Sequence, residues 1–109
     1  MSGIYSDDVV RLWRAVVLQA LLDAGNIGIT SLHPSYNSAM VRAIRDEARN
    51  WIKCADQDFV EVCENANLSP RIIRQFGMRV IRGDSKAKHS LLEWKFYLKQ
   101  KKRVIKEEF

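Results

Sequence analysis

Helical periodicity is the feature of this 109-residue sequence that most constrains its fold. Apolar residues recur every three or four positions in the stretches 9–24, 36–53, 59–78 and 86–106. We find no stretch that alternates apolar and polar residues as a half-buried strand does. The third stretch is interrupted by a turn and therefore divides into two helices. The pattern predicts an all-α fold of about five helices.

Capping residues predict where these helices begin and end. Residues 6–8 place a serine hydroxyl and two carboxylates at the positive end of the first helix. Gly25 is predicted as the C-terminal cap of this helix, which is apolar on nearly every side and is expected at the centre of the fold. Asp58 is predicted to cap the third helix, with Glu61 at capping-box spacing, and Ser85 the last helix.

Length and composition indicate one helical domain, residues 1–109. We find no run of 18 apolar residues and no N-terminal signal pattern, so we expect a cytoplasmic protein without a membrane contact. Cys54 and Cys63 fit a reduced compartment, and Cys63 falls on an apolar helix face. His33 and His89 have no cysteine or acid at metal-ligand spacing. We therefore expect no metal and no cofactor. We also expect no enzymatic activity, because the sequence has no glycine-rich phosphate loop, no GxSxG motif and no HExxH motif.

Charge is divided unequally along the chain. Residues 1–70 contain six basic and nine acidic residues, whereas residues 71–106 contain twelve basic and two acidic residues. A net charge of +5 alone is typical of a solubilising surface, but charge segregated in this way is equally consistent with a face that binds a polyanion.

Residues 58–82 have the pattern of a helix-turn-helix. Asn67 suits the left-handed backbone of the turn, and Ser69 and Pro70 begin the second helix as cap and first helical residue. The stretch resembles the twenty-residue motif of bacterial helix-turn-helix proteins, counted from Phe59. The positions that fit the motif are Val62, Cys63, Ala66, Asn67, Leu68, Ile73 and Phe76. The family prefers alanine where Cys63 stands and glycine where Asn67 stands.

The outward face of the second helix carries the predicted DNA contacts. Helical spacing places Ser69, Arg71, Arg74, Gln75, Met78, Arg79 and Arg82 on this face. Arginine recognises guanine and glutamine recognises adenine in the major groove, so we predict base contacts from Ser69, Arg71, Arg74 and Gln75. Predicted contacts to the DNA backbone come from Arg79, Arg82, Lys86, Lys88, Lys99, Lys102 and Arg103. The alternative is an ordinary helical hairpin with a solvated arginine face.

A wider resemblance covers roughly residues 9–74. The runs 12–20, 51–52 and 58–63 are similar to those of small proteins of alphaproteobacteria and their prophages, among them gene transfer agent regulators with a helix-turn-helix. The resemblance implies a DNA-binding role of the phage or regulatory type, although many such proteins have no assigned function. Proteins of this class bind DNA as dimers, so we expect a homodimer.

The basic C-terminal helix, predicted over residues 85–106, suggests two rival functions. Its apolar stripe could dock RNA polymerase or another host factor, which would make the protein an interaction adaptor. The stripe consists of Leu91, Trp94, Leu98 and Ile105. The lysine-rich tail with Trp94 and Tyr97 could instead bind RNA.

Overall fold

The computed structural model describes residues 7–27 and 37–94. Four helices are α1 (Asp7–Ala24), α2 (Ser38–Cys54), α3 (Gln57–Asn65) and α4 (Pro70–Ile81), and residues 85–94 form a further helical segment, α5. The described residues contain no strand, so the predicted all-α class is confirmed. The Ser6 cap and the part of the C-terminal helix predicted over residues 95–106 lie outside the described residues.

Helix α1 is the central element, as its apolar character predicts. It packs against α2, α3 and α4. Its buried side chains lie toward its C-terminal end and include Val17 and Leu21, both almost fully excluded from solvent. The prediction of burial on several sides holds only for this end, because Leu12 and Val16 are exposed.

Two helices begin at a residue other than the predicted cap. The side chain of Asp56, not Asp58, accepts the hydrogen bond from a first-turn amide of α3. Asp58 instead accepts a hydrogen bond from Trp51 Nε1 at 2.8 Å, which joins α3 to α2. Asp84, not Ser85, caps α5, because its Oδ1 accepts a hydrogen bond from the Lys86 amide at 2.9 Å. The predicted capping-box pairing of Asp58 with Glu61 is therefore wrong.

The end of α1 corrects the predicted role of Gly25. The left-handed residue there is Asn26, with φ of 57°, whereas Gly25 is buried. A Cβ added at Gly25 would lie 2.7 Å from Val80 Cγ1 of α4. Glycine is therefore required for close packing of two helices rather than for its backbone conformation.

Three arginine side chains form hydrogen bonds that connect the end of one helix to a neighbouring helix. Each donates a side-chain hydrogen bond to a backbone carbonyl at the C-terminal end of another helix, where carbonyl groups lack an intrahelical partner. These bonds join Arg49 to Ala24 at 2.8 Å, Arg74 to Lys53 at 3.0 Å and Arg14 to Ala66 at 2.8 Å. Such donors satisfy the orphan carbonyls and place positive charge at the negative end of the helix dipole.

Candidate nucleic-acid interface

Helix α4 is amphipathic, and its two faces have different surroundings. Ile73, Gly77 and Val80 are buried on one face. At Gly77 the helix approaches α2 so closely that an added Cβ would lie 2.8 Å from Ile52 Cγ2. The opposite face is therefore held on a rigid base, which is what a surface that recognises a partner requires.

The connection between α3 and α4 has the predicted turn chemistry. Asn67 has φ of 57°, and the Leu68 amide donates to the Cys63 carbonyl at 2.9 Å, which closes the end of α3. The Ser69 side chain then accepts a hydrogen bond from the Ile72 amide at 3.3 Å, and Pro70 occupies the first turn of α4. The local geometry agrees with these predicted positions, whereas the helix-turn-helix assignment itself stays a prediction.

Of the four predicted base-contacting residues, Arg71 and Gln75 are the most available. Both are exposed, and neither forms a side-chain hydrogen bond or ion pair with another described residue. Ser69 is also exposed, but its hydroxyl oxygen caps α4. The hydroxyl can still donate, because accepting a hydrogen bond uses a lone pair and not the O–H hydrogen.

Arg74 is exposed but is engaged within the protein. Its Nε and Nη2 donate to the Lys53 carbonyl at 3.2 Å and 3.0 Å. This two-donor contact holds the start of α4 against the end of α2. The position that helical spacing assigned to DNA reading therefore also has a structural function, which no pattern within α4 reveals.

The predicted backbone contacts lie at the end of α4 and the start of α5. Arg79 Nε contacts Asp84 Oδ2 at 3.0 Å, and this hydrogen bond lowers the pKa of the Asp84 carboxyl. Arg82 and Lys86 are exposed, and Lys88 is half-buried. The remaining predicted residues, Lys99, Lys102 and Arg103, lie outside the described residues.

The structure changes the composition of the outward face at two positions. Met78, predicted on this face, is half-buried and packs against the core. Ile72, which the sequence analysis did not single out, is 57% exposed between Arg71 and Gln75. Ile72 stands at a position that the helical period of α4 assigns to the solvent-exposed face, and this sequence pattern could have identified it as an exposed apolar residue.

The buried thiol is placed as predicted. Cys63 is fully buried on the apolar face of α3, and burial raises its pKa to about 11, with the nearby Glu64 adding to the shift. A thiol held in the protonated form is a poor nucleophile and a poor metal ligand. Across 7–27 and 37–94 we find no group of three or more metal-ligating side chains.

The apolar stripe predicted as a docking surface is directed into the protein over its described part. Leu91 is fully buried, and Trp94 packs against the core. The first ten residues of the C-terminal helix therefore belong to the domain, which removes Leu91 from the proposed adaptor surface. Leu98, Ile105 and Tyr97 lie outside the described residues.

Comparisons with known proteins do not identify a relative. No family model, curated protein or solved structure matches this chain. In the part of the chain that the structure describes, we find no helix long and apolar enough to span a membrane.

Proposed function

We propose that this protein is a small regulator that binds double-stranded DNA with the outward face of α4. The observation that carries the proposal is an exposed polar face with Arg71 and Gln75 uncommitted to other described residues, on a helix whose opposite face is fixed in the core. Arginine and glutamine match the donors and acceptors of guanine and adenine in the major groove. A phage-type or transcriptional role is part of this proposal.

The first two turns of α4 supply the base-reading residues. Arg71 and Gln75 are one helical turn apart, which corresponds to about 6 Å along the axis. Successive base pairs are about 3.4 Å apart, so the two side chains suit bases about two steps apart. Ile72 between them offers an apolar surface for a thymine methyl group.

Electrostatics favour the same face. Residues 70–94 contain six basic residues and only two acidic residues. One of these acids, Asp84, is already paired with Arg79. In the described residues before α4, acidic residues exceed basic ones by nine to six. Among the described residues, the excess of positive charge that favours a polyanion therefore lies at α4 and the start of α5, where Arg82 and Lys86 are exposed.

Binding to a labelled duplex of random sequence, followed by fluorescence anisotropy as a function of salt, tests the proposal. Each neutralised phosphate contributes about 0.9 to the slope of log affinity against log salt. We expect the double variant Arg82→Ala/Lys86→Ala to flatten this slope by about 1.8. Arg42→Ala removes one positive charge from an exposed position of α2; it is the control and should leave the slope unchanged.

Base reading is tested after selection of a preferred sequence from a random library. Arg71→Ala/Gln75→Ala should reduce the preference for the selected site by roughly tenfold or more while keeping most of the salt-dependent binding. Absence of duplex binding by the wild type at low salt would contradict the proposal. If Arg42→Ala flattened the salt slope by about 0.9, as much for each charge removed as the α4–α5 double variant, the binding would be assigned to general charge rather than to α4.

A further inference from the structure

An open groove runs between helices α1 and α2 on the protein surface. Its volume is about 390 Å³, and its described lining is Val16, Gln19, Ala20, Asp23, Ile44, Glu47 and Ala48. The apolar members lie in two rows, because Val16 and Ala20 are one turn apart on α1, as are Ile44 and Ala48 on α2. The floor is therefore apolar and follows the helices.

Exposed apolar side chains extend both rows. Leu12 precedes Val16 by one turn and is 65% exposed, and Met40 precedes Ile44 by one turn and is 41% exposed. Leu12, Val16 and Met40 are three of the five large apolar residues exposed in the described chain. An apolar surface of this kind, bounded by polar residues, is typical of a site that a partner covers.

The ionisable groups of the lining are both acidic. Asp23 and Glu47 lie on opposite helices, and none of the seven lining residues is basic. Asp23 is half-buried, its carboxylate accepts a hydrogen bond from Gln19 Nε2 at 2.9 Å, and burial raises its pKa. A partly desolvated carboxylate is favoured by a nearby cation.

This charge arrangement selects among possible occupants. A second copy placed on the groove by a two-fold axis would bring the acidic rim of one protomer onto that of the other. Like charges brought together in this way oppose association. An occupant with basic residues beside its apolar face would instead be attracted by Asp23 and Glu47.

The groove is separated from the proposed DNA-binding face. Leu21 of α1 faces α4, because a Cβ added at Gly77 would lie 3.3 Å from Leu21 Cδ2. Gln19 and Asp23 are each two residues away from Leu21 in the sequence. Two residues correspond to a rotation of about 200° around the helix axis, so both side chains lie on nearly the opposite side of α1 from Leu21. The groove therefore lies on the side of α1 turned away from α4, and its occupant does not compete with DNA for the same surface.

We propose that the α1–α2 groove binds an amphipathic helix of a partner protein, with apolar residues seated between the two rows and lysine or arginine facing Asp23 and Glu47. Helices bind in grooves of this type through side chains at i, i+3, i+4 and i+7. The inference does not depend on the proposed DNA-binding function.

A designed peptide pair tests the proposal directly. Both peptides are synthetic fluorescent helices with leucine at i, i+3, i+4 and i+7; one has lysine flanks and the other has glutamate flanks. Binding to the full chain is followed by anisotropy. We expect saturable 1:1 binding of the lysine peptide and at least tenfold weaker binding of the glutamate peptide.

Two substitutions separate groove binding from simple attraction of opposite charges. Val16→Asp adds an acidic side chain inside the groove and removes an apolar contact. If only charge attraction held the lysine peptide, this variant would bind it more tightly. If the peptide packs in the groove, as we propose, the variant should bind it about tenfold more weakly. Leu92→Asp adds the same charge at a leucine of α5 that is 47% exposed, and it should leave binding unchanged. Circular dichroism serves as the control that both variants are folded.

Four results would overturn the proposal. The first is equal binding of both peptides, and the second is equal binding of the lysine peptide to the wild type and Val16→Asp. The third is sedimentation of the wild type as a dimer that Val16→Asp converts to a monomer, which would assign the groove to a second copy. If lysine-peptide binding requires deletion of residues 95–109, the occupant is the chain's own basic segment and the partner-helix proposal also fails.

Discussion

The outward face of α4 and the α1–α2 groove are two surfaces supported by one core, and they differ in chemistry. The α4 face is polar and basic, with Arg71 and Gln75 exposed, and Ile72 is the large apolar residue of α4 that is exposed beside them. The groove has an apolar floor, and the ionisable groups among its described lining residues are both acidic. A small helical domain can therefore offer opposite chemistry on opposite sides, because each helix buries only one stripe.

The comparison also separates two uses of arginine. Arg14, Arg49 and Arg74 donate to carbonyls of other helices, whereas Arg71 has no such partner among the described residues. A count of basic residues alone assigns all of them to a possible polyanion site. Their hydrogen bonds show which ones hold the fold together.

The largest expected effect is a loss of stability when a side chain is removed from the core that supports both surfaces. Phe59 of α3 is fully buried and contacts the ring of Trp51 edge-to-face, with centroids 4.9 Å apart. Phe59→Ala should lower the free energy of unfolding by about 3–5 kcal/mol, because it leaves a cavity in a packed core. Urea denaturation measures this loss. A change below about 1 kcal/mol would show that α3 is not part of the common core.

The two uses of arginine predict different stabilities. Arg74→Ala should reduce the free energy of unfolding by about 1 kcal/mol, since the Lys53 carbonyl loses two hydrogen bonds on the protein surface. Arg71→Ala should change it by less than about 0.5 kcal/mol. The same urea titration compares both variants. Equal effects would remove the distinction between a structural and an exposed arginine.

Ile72 provides a smaller test of the α4 face. If Ile72 contacts a thymine methyl group, replacement of the critical thymine by uracil in the selected duplex should weaken wild-type binding by about fourfold, the value of one methyl group. Ile72→Ala should bind both duplexes equally. A wild type that does not distinguish them would place Ile72 away from the bases while leaving DNA binding itself intact.

The smallest effect concerns the junction of α4 and α5. The hydrogen bond from Arg79 holds the pKa of Asp84 below its ordinary value of 3.8, so the ionised form is favoured in the fold. This contribution is present above the unfolded-state pKa and is lost as pH falls through the folded value. The thermal midpoint should therefore fall less on acidification in Asp84→Asn than in the wild type. Equal pH profiles, measured by circular dichroism, would contradict this assignment.

The sequence predicted well those features that depend on neighbouring residues. The Ser69 cap, Pro70 as the first residue of α4 and the left-handed Asn67 are confirmed, because each follows from contacts within a few positions of the chain. The cap of α3 was misplaced by two residues. Asp56 and Asp58 are equally suitable by local chemistry, and only the hydrogen bond to Trp51 of α2 distinguishes them.

By itself, therefore, the sequence determined that the chain forms helices, roughly where they begin and end, and that its basic residues gather after residue 70. Tertiary structure decided which side chains face one another. The Arg14–Ala66 bond spans 52 residues, and Gly25 is needed because Val80 packs on it from another helix. Helical periodicity defines a face only relative to its own axis; the partner of that face depends on how the helices are assembled.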